Sequence, residues 1–360
     1  MKVEALQREC ARLVRDLLAG RRVEWPVNLD ASTLARQLIE HGMHALVDDA
    51  IRRSEVSVPS ELAERLKDAT RAEVVSKALL EEEIPPLLAA FEEKGIRTLL
   101  IKGVPLSWTH YALPHLRPVS DVDLLVDRSD APAAENLLAE LAFEPELTIR
   151  GDLVRHQVTY AGSHARGSGM RIDLHWSVSN VPLLGRLLRF SELHARRRRV
   201  PPLGPSASAL DDLDALLLAI IHRVGHHRDA DRLIWLYDIH LLVESIPTER
   251  DAEMIALARE KKITAIWAAA VSEASARLGT RSIGGMEAGG SDELSARYLD
   301  REMPRWEELR LDLRALRGTE KLRLLFEHAF PGRDYMRARY RGSQALPLLY
   351  LKRFLGVLKE

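Results

Sequence analysis

The first residues that could do chemistry are a pair of carboxylates in residues 120–126, which read Ser-Asp-Val-Asp-Leu-Leu-Val. Residues two apart in a β-strand point to the same face and lie about 7 Å apart. Asp121 and Asp123 are therefore expected to project together, while Val122 and Leu124 face an apolar core. Two carboxylates at this separation can share Mg²⁺ or Mn²⁺, and paired ions can hold the attacking and leaving oxygens of a phosphoryl displacement.

A second acidic strand is predicted at residues 170–176, where Asp173 and His175 share one face. If this strand lies beside the first, Asp173 becomes a third carboxylate of the same site. Three carboxylates on one sheet face repel each other strongly without a cation, and this cost favours a metal. Asp173 could also accept the proton of an attacking hydroxyl. A lone Asp-x-Asp is common on solvated strands, but the apolar neighbours and the second acidic strand favour a functional site.

Lys102 and Gly103 follow a predicted strand and open a predicted helix. Glycine lets the backbone approach a phosphate closely, and a helix N-terminus offers free N–H donors. Lys102 would add a positive charge. Arg117, just before the acidic strand, is a similar candidate for contact with a triphosphate. An ordinary strand-to-helix turn with a surface lysine explains residues 102–103 equally well.

The elements around these residues are predicted from hydrophobic spacing. Apolar residues at helical intervals predict helices from residue 3 to about residue 93. Runs rich in β-branched and aliphatic residues predict buried strands, at 96–101, 119–126, 153–160 and 170–176. The loop 161–169 holds three glycines and two serines, which suggests that the last two strands form a hairpin.

After residue 180 the pattern is helical again, with amphipathic helices at 211–222 and 233–244. The strands are thus confined to the middle of the chain. We predict an α+β fold in which a small mixed sheet with flanking helices occupies residues 81–182. A helical region, 1–80, precedes it, and a C-terminal helical domain, 183–360, follows.

Composition disfavours several functional classes. The net charge is −1 and aromatic residues make up 5% of the chain, which disfavours a general nucleic-acid binder. Cys10 is the single cysteine, so an intramolecular disulfide and a multi-cysteine zinc site are excluded. The N-terminal segment lacks the apolar core of a signal peptide. No stretch reaches the roughly 18 apolar residues of a membrane span. We expect a cytoplasmic protein without a membrane partner.

The combined motifs resemble the uncharacterised bacterial nucleotidyltransferases of the polymerase-β-like superfamily. The resemblance rests on Leu100-Ile101-Lys102-Gly103, Tyr111, Arg117, residues 121–126 and residues 172–176. It covers residues 82–181 and extends more loosely into residues 216–242. It implies that Asp121 and Asp123 are the metal-binding pair and Asp173 the third acid. Such enzymes transfer a nucleoside monophosphate from a nucleoside triphosphate to a hydroxyl or phosphate and release pyrophosphate.

The residues predicted to contact the nucleotide are Lys102, Gly103, Arg117, Ser120 and His175. The superfamily usually has Gly-Ser or Gly-Gly at the helix opening, where this chain has Gly103-Val104. The hydroxyl that often contacts phosphate is therefore missing, and Ser107 is a candidate substitute. The acceptor is open: a small molecule, a peptide or a protein fits, and RNA is less favoured.

Other residues have alternative interpretations. His222, His226 and His227 suggest zinc, but no acidic or cysteine ligand completes a set, so packing roles are favoured. The basic run 196–199 could close over an acidic substrate or be a solvated connector. Asp238 could pair with Arg232 or reach the nucleotide. A catalytically inactive member that binds a nucleotide or a protein partner is the second hypothesis. A metal-dependent phosphohydrolase is the third, and it would need more ligands.

Overall fold

The computed structural model describes residues 3–19, 21, 23, 30–54, 57–146, 153–162, 169–227, 232–285, 289–340 and 345–357. A seven-stranded mixed sheet lies at the centre. Its strands are β1 (Thr98–Ile101), β2 (Val122–Val126), β3 (Phe143–Pro145), β4 (Gln157–Gly162), β5 (Arg171–His175), β6 (Arg198–Arg199) and β7 (Ser208–Ala209). The order is β3-β4-β5-β2-β1-β7-β6. The pairs β2–β5 and β1–β7 are parallel, and the other neighbours are antiparallel.

Helices surround this sheet, and the predicted α+β class is confirmed. Four precede the first strand: α1 (Val3–Leu18), α2 (Ala31–Glu40), α3 (His44–Ser54) and α4 (Ser60–Glu93). Two lie between strands: α5 (Gly103–Thr109) and α6 (Ala131–Glu140). The others are α7 (Pro182–Gly185), α8 (Phe190–Ala195), α9 (Asp212–His227), α10 (Leu233–Ser245), α11 (Asp251–Glu260), α12 (Thr264–Leu278), α13 (Arg305–Ala315), α14 (Thr319–Ala329), α15 (Arg333–Arg339) and α16 (Leu346–Val357).

One face of the sheet is apolar where the sequence predicts it, at Val122 and Leu124. Val122 and Leu124 of β2 pack with Leu174 of β5 in a buried cluster. The C-terminal half of α4 and the helix α6 cover this cluster. The alternation predicted for the acidic strands is therefore confirmed, because the apolar residues of β2 and β5 lie away from the carboxylates.

The opposite face of the sheet meets the helical part of the protein. Leu99 of β1 and Leu125 of β2 belong to a second buried cluster, which α1, α3, α9, α10 and α12 complete. Asp123 and Leu125 share this face because they are two residues apart on one strand. The carboxylates are thereby held between the sheet and the flanking helices.

Two features cross the predicted region boundaries. The helix α4 runs through residue 80, with its first half packed on α2 and α3 and its second half on the sheet core. The short strands β6 and β7 extend the sheet beyond residue 182. The division at 80 and 182 remains a proposal. β4 and β5 pair antiparallel as expected for a hairpin, and residues 163–168 between them lie outside the described residues.

Candidate active site

The acidic residues of the two predicted strands lie side by side. β2 and β5 are parallel neighbours, and their register pairs Asp123 with Asp173. Potential ligand atoms of Asp123, Asp173 and His175 all lie within 4.8 Å of one another. Asp121 lies just before β2 and lines the same cavity as Asp123 and Asp173. The structure therefore brings all three predicted carboxylates together.

Asp123 is buried and has two close donors on a single oxygen. Its Oδ1 lies 2.5 Å from the ammonium Nζ of Lys102 and 2.7 Å from Nε2 of His175. Burial raises the pKa of Asp123, but the charge of Lys102 and the hydrogen bond from His175 outweigh it and lower this pKa to about 2. Burial and the nearby Lys102 also lower the pKa of His175. Asp123 is thus held as a carboxylate.

Asp173 is fixed by two side chains from β4. Thr159, which pairs with Asp173 in the sheet, donates its hydroxyl to Oδ1 at 2.6 Å. Gln157 donates from Nε2 to Oδ2 at 3.2 Å. The sequence analysis missed both residues. Their spacing of two places them on one strand face, but only the register of β4 on β5 shows that this face carries the site.

Asp121 has the opposite electrostatic environment. Burial and the negative charges of Asp123 and Asp173 raise its pKa to about 6, against the opposing effects of Lys102 and Ser120. An acidic group whose pKa is raised in this way is one that gains from a nearby cation. The crowding of charge therefore favours cation binding.

Lys102 and Gly103 form the predicted transition from β1 into α5. Lys102 has φ 60° and ψ −130°, a backbone conformation that only glycine adopts readily. A Cβ at Gly103 would lie 2.9 Å from Cγ1 of Val119 and 3.2 Å from a guanidinium nitrogen of Arg117. The observed role of Gly103 is therefore to admit Arg117 and Val119 against the start of α5.

Arg117 is buried and bound to Asp238 of α10, 121 residues away in the chain. Its Nε and NH2 donate to the two carboxylate oxygens at 2.9 and 2.7 Å, and Tyr111 donates its hydroxyl to Oδ1 at 2.7 Å. NH1 donates to the carbonyl of Pro118. Asp238 thus pairs with Arg117 and not with Arg232. The charge of Arg117 is already balanced, and its contact with a triphosphate stays a prediction.

A cavity of about 470 Å³ opens between the sheet and the helices α9 and α10, within the range of small-molecule sites. Asp121, Asp123 and Asp173 line it together with Lys102 and Arg232. Arg232 lies over the ring of Trp235, with 5.3 Å from the guanidinium carbon to the ring centre. Arg232 is a cation that the predicted nucleotide contacts did not include, and only the docking of α10 on the sheet places it here.

Two serines were predicted near phosphate, and the structure separates them. Ser120 is exposed and lines the cavity. Ser107 is fully buried, and its hydroxyl donates to the carbonyl of Val104 at 2.6 Å. The expectation that Ser107 replaces the missing phosphate-contacting serine is wrong, because it lies on the core-facing side of α5.

The remaining candidates have structural partners. In the basic run, Arg196 pairs with Asp214 and Arg198 with Asp212, which agrees with a connector. His222 packs edge-on against Trp235 and lines the cavity. The side chains of residues 226 and 227 lie outside the described part of the chain.

A buried lysine lies behind the cavity wall. Lys77 of α4 is 5% exposed, with its ammonium 3.5 Å from the hydroxyl of Ser107 and 5.3 Å from the ring centre of Trp108. Burial and the positive charge of Arg117 lower the pKa of Lys77 to about 7. The folded protein therefore loses this proton well before the unfolded chain, in which a lysine titrates near about 10.4.

Burying the charged Lys77 lowers the free energy of unfolding at neutral pH, and this loss disappears as the pH rises. Replacing Lys77 by methionine is expected to remove this dependence on pH. Stability rises with pH wherever the unfolded state binds more protons. From about pH 7 to about pH 9.5 the wild type should gain about 3 kcal/mol relative to Lys77→Met. Urea unfolding at both pH values measures this. The control Lys94→Met, at an exposed lysine paired with Glu140, should show no such change, and parallel pH curves for wild type and Lys77→Met would contradict the assignment.

Comparison with protein families agrees with the carboxylate site. A family model described as an uncharacterised nucleotidyltransferase matches residues 28–279, well over half of the chain. The chain belongs to this nucleotidyltransferase family. The expected resemblance is thus confirmed. The matched span holds the whole sheet, every carboxylate of the site and the helices α9 and α10 that close the cavity.

None of the curated proteins compared with the chain matches it. Within the described residues, no helix combines the length and the apolar character needed to cross a membrane.

Proposed function

We propose that this chain is a metal-dependent nucleotidyltransferase. It would move a nucleoside monophosphate from a nucleoside triphosphate to a hydroxyl or phosphate acceptor and release pyrophosphate. The observation that carries the proposal is the cluster of Asp121, Asp123 and Asp173 on one wall of the cavity. Membership of the nucleotidyltransferase family supports the same reaction class.

The donor set fits Mg²⁺ or Mn²⁺. These ions prefer oxygen ligands, and the site offers three carboxylates. Burial, together with repulsion from Asp123 and Asp173, raises the pKa of Asp121 to about 6. Asp121, Asp123 and Asp173 would hold the ion. When bound, the ion would polarise the phosphoryl oxygens and neutralise developing charge.

The chain's own residues would arrange the transfer. Asp173 is held by Thr159 and Gln157. It would accept the proton of the acceptor hydroxyl while the oxygen of that hydroxyl bonds to the α-phosphorus. The bond from the α-phosphorus to the bridging oxygen breaks, and pyrophosphate leaves. The cavity between the sheet and α9–α10 would hold the nucleotide and the acceptor, which would be a small molecule, a peptide or a protein.

A second candidate is a catalytically inactive member that binds a nucleotide or a protein partner. Val104 stands where the superfamily usually has serine or glycine, and Ser107 is buried away from the cavity. Arg117 is committed to Asp238. This alternative is favoured because two of the groups expected to contact phosphate, Ser107 and Arg117, are bound to other parts of the protein.

Both the enzyme and the inactive nucleotide-binding protein must bind a nucleoside triphosphate. Calorimetric titration with each nucleoside triphosphate tests this binding. The wild type is expected to bind a triphosphate at least about tenfold more tightly with Mg²⁺ than with EDTA, a difference of about 1.4 kcal/mol. The reason is that the carboxylates repel the triphosphate when no cation lies between them. In Asp121→Asn/Asp123→Asn this dependence on Mg²⁺ should disappear.

The control matches the change in charge. Asp127→Asn/Asp130→Asn removes two carboxylates beyond the other end of β2, where Asp127 accepts hydrogen bonds from Ser129. It should bind as the wild type does. Failure of the folded wild type to bind any triphosphate would contradict both the enzyme and the nucleotide-binding alternative.

A further inference from the structure

The ammonium of Lys102 lies where a two-ion site would need a free carboxylate oxygen. It is 2.5 Å from Oδ1 of Asp123, and His175 donates to the same oxygen at 2.7 Å. Ions of a paired site lie about 3.5–4 Å apart and share ligands between them. An Asp123 that shared two ions would offer one oxygen to each. With Oδ1 already occupied, its Oδ2 remains, and no described residue donates to Oδ2.

Lys102 lies in a closely packed segment of the chain. Lys102 caps α5 with a positive φ of 60°, and its side chain is 14% exposed. The next residue, Gly103, is packed against Val119 and Arg117 so closely that a Cβ would clash. Arg117 is itself held by Asp238. Because its side chain is mostly buried and its ammonium binds Asp123, Lys102 differs from an exposed lysine whose side chain moves freely.

The charges of the site also favour a single ion. Asp121, Asp123 and Asp173 carry three negative charges when ionised. In the absence of a nucleotide, one divalent ion and the ammonium of Lys102 balance them. A second divalent ion beside the same Asp123 oxygen would meet the ammonium at close range, and like charges at such a distance repel strongly in a buried site.

We propose that the site takes one divalent ion and that the ammonium of Lys102 occupies the place of a second. This inference rests on the metal site of the proposed function, and it departs from the paired ions that the spacing of Asp121 and Asp123 would allow. Lys102 then supplies a positive charge beside Asp123, and Asp121, Asp173 and Oδ2 of Asp123 form the ion site. The residue acts as a positioning and charge-balancing group.

The test is the number of Mn²⁺ ions bound per chain, measured by electron paramagnetic resonance with a non-hydrolysable triphosphate analogue present. The wild type is expected to bind one ion. Lys102→Met keeps the side-chain length and removes the charge, so it should bind two. Lys102→Arg keeps the charge and should bind one. The control Lys94→Met, at an exposed lysine, should also bind one.

Each other result contradicts the inference in a distinguishable way. Two ions in the wild type would show that Lys102 does not take the place of an ion, while leaving the proposed function intact. One ion in both wild type and Lys102→Met, with a thermal melt showing that the variant is folded, would also overturn it. If Lys102→Met does not fold, Lys102→Gln, which also removes the charge, takes its place and should bind two ions. No ion in the wild type under any condition would overturn the metal site itself, and the proposed function with it.

Discussion

Asp238→Ala is expected to destabilise the protein by about 3–5 kcal/mol, the cost of removing one partner from a buried ion pair. Arg117 would keep its charge in a buried position, because Asp238 is the carboxylate that binds its Nε and NH2. Burial opposes the charge of Arg117, but Asp238 outweighs it and raises the pKa of this guanidinium. The hydroxyl of Tyr111 would lose its acceptor as well. Urea unfolding at neutral pH measures the loss.

Two further variants test the cause. Arg117→Met/Asp238→Leu replaces the pair by apolar side chains and should recover much of the stability, because no charge is left uncompensated. Glu260→Ala removes an exposed carboxylate of α11 that lies 3.6 Å from Lys261, and exposed pairs contribute about 0–1 kcal/mol. A loss below about 1 kcal/mol in Asp238→Ala would show that the pair does not tie α10 to the sheet.

The carboxylates were predictable because their signal is local. Alternation along two short segments identified Asp121, Asp123 and Asp173 and the apolar face behind Val122 and Leu124. Asp173 could join the other two carboxylates only if the two strands were neighbours. The parallel pairing of β2 and β5 meets this condition. A period of two assigns residues to strand faces without knowledge of the rest of the fold.

The residues that support the carboxylates depend on long-range contacts. Thr159 and Gln157 reach Asp173 through the register of β4, and Asp238 reaches Arg117 across 121 residues. No local pattern carries such information. The strands β6 and β7 have two residues each, too short for hydrophobic alternation to show. The expectation for Ser107 was wrong because the rotation of a seven-residue helix depends on what packs against it.

Asp173→Asn is expected to slow nucleotidyl transfer by about 10²–10⁴-fold, the usual contribution of a positioned acid or base. Asparagine retains the shape and the acceptor oxygen for Thr159 but cannot take the proton of the acceptor hydroxyl. Its lost negative charge also weakens the hold on a cation. Asp127→Asn, the same substitution beyond the other end of β2, should transfer at the wild-type rate.

The most direct test of nucleotidyl transfer is to identify the products of the reaction. Each nucleoside triphosphate is incubated with the protein, Mg²⁺ and a panel of hydroxyl-bearing sugars and peptides. The wild type should release pyrophosphate and attach the nucleoside monophosphate to the acceptor, or release it free when water is the acceptor. Asp173→Asn should release pyrophosphate far more slowly. Release of orthophosphate with a nucleoside diphosphate would instead indicate a phosphohydrolase. Equal pyrophosphate release by the wild type and Asp173→Asn would contradict the role of this carboxylate cluster.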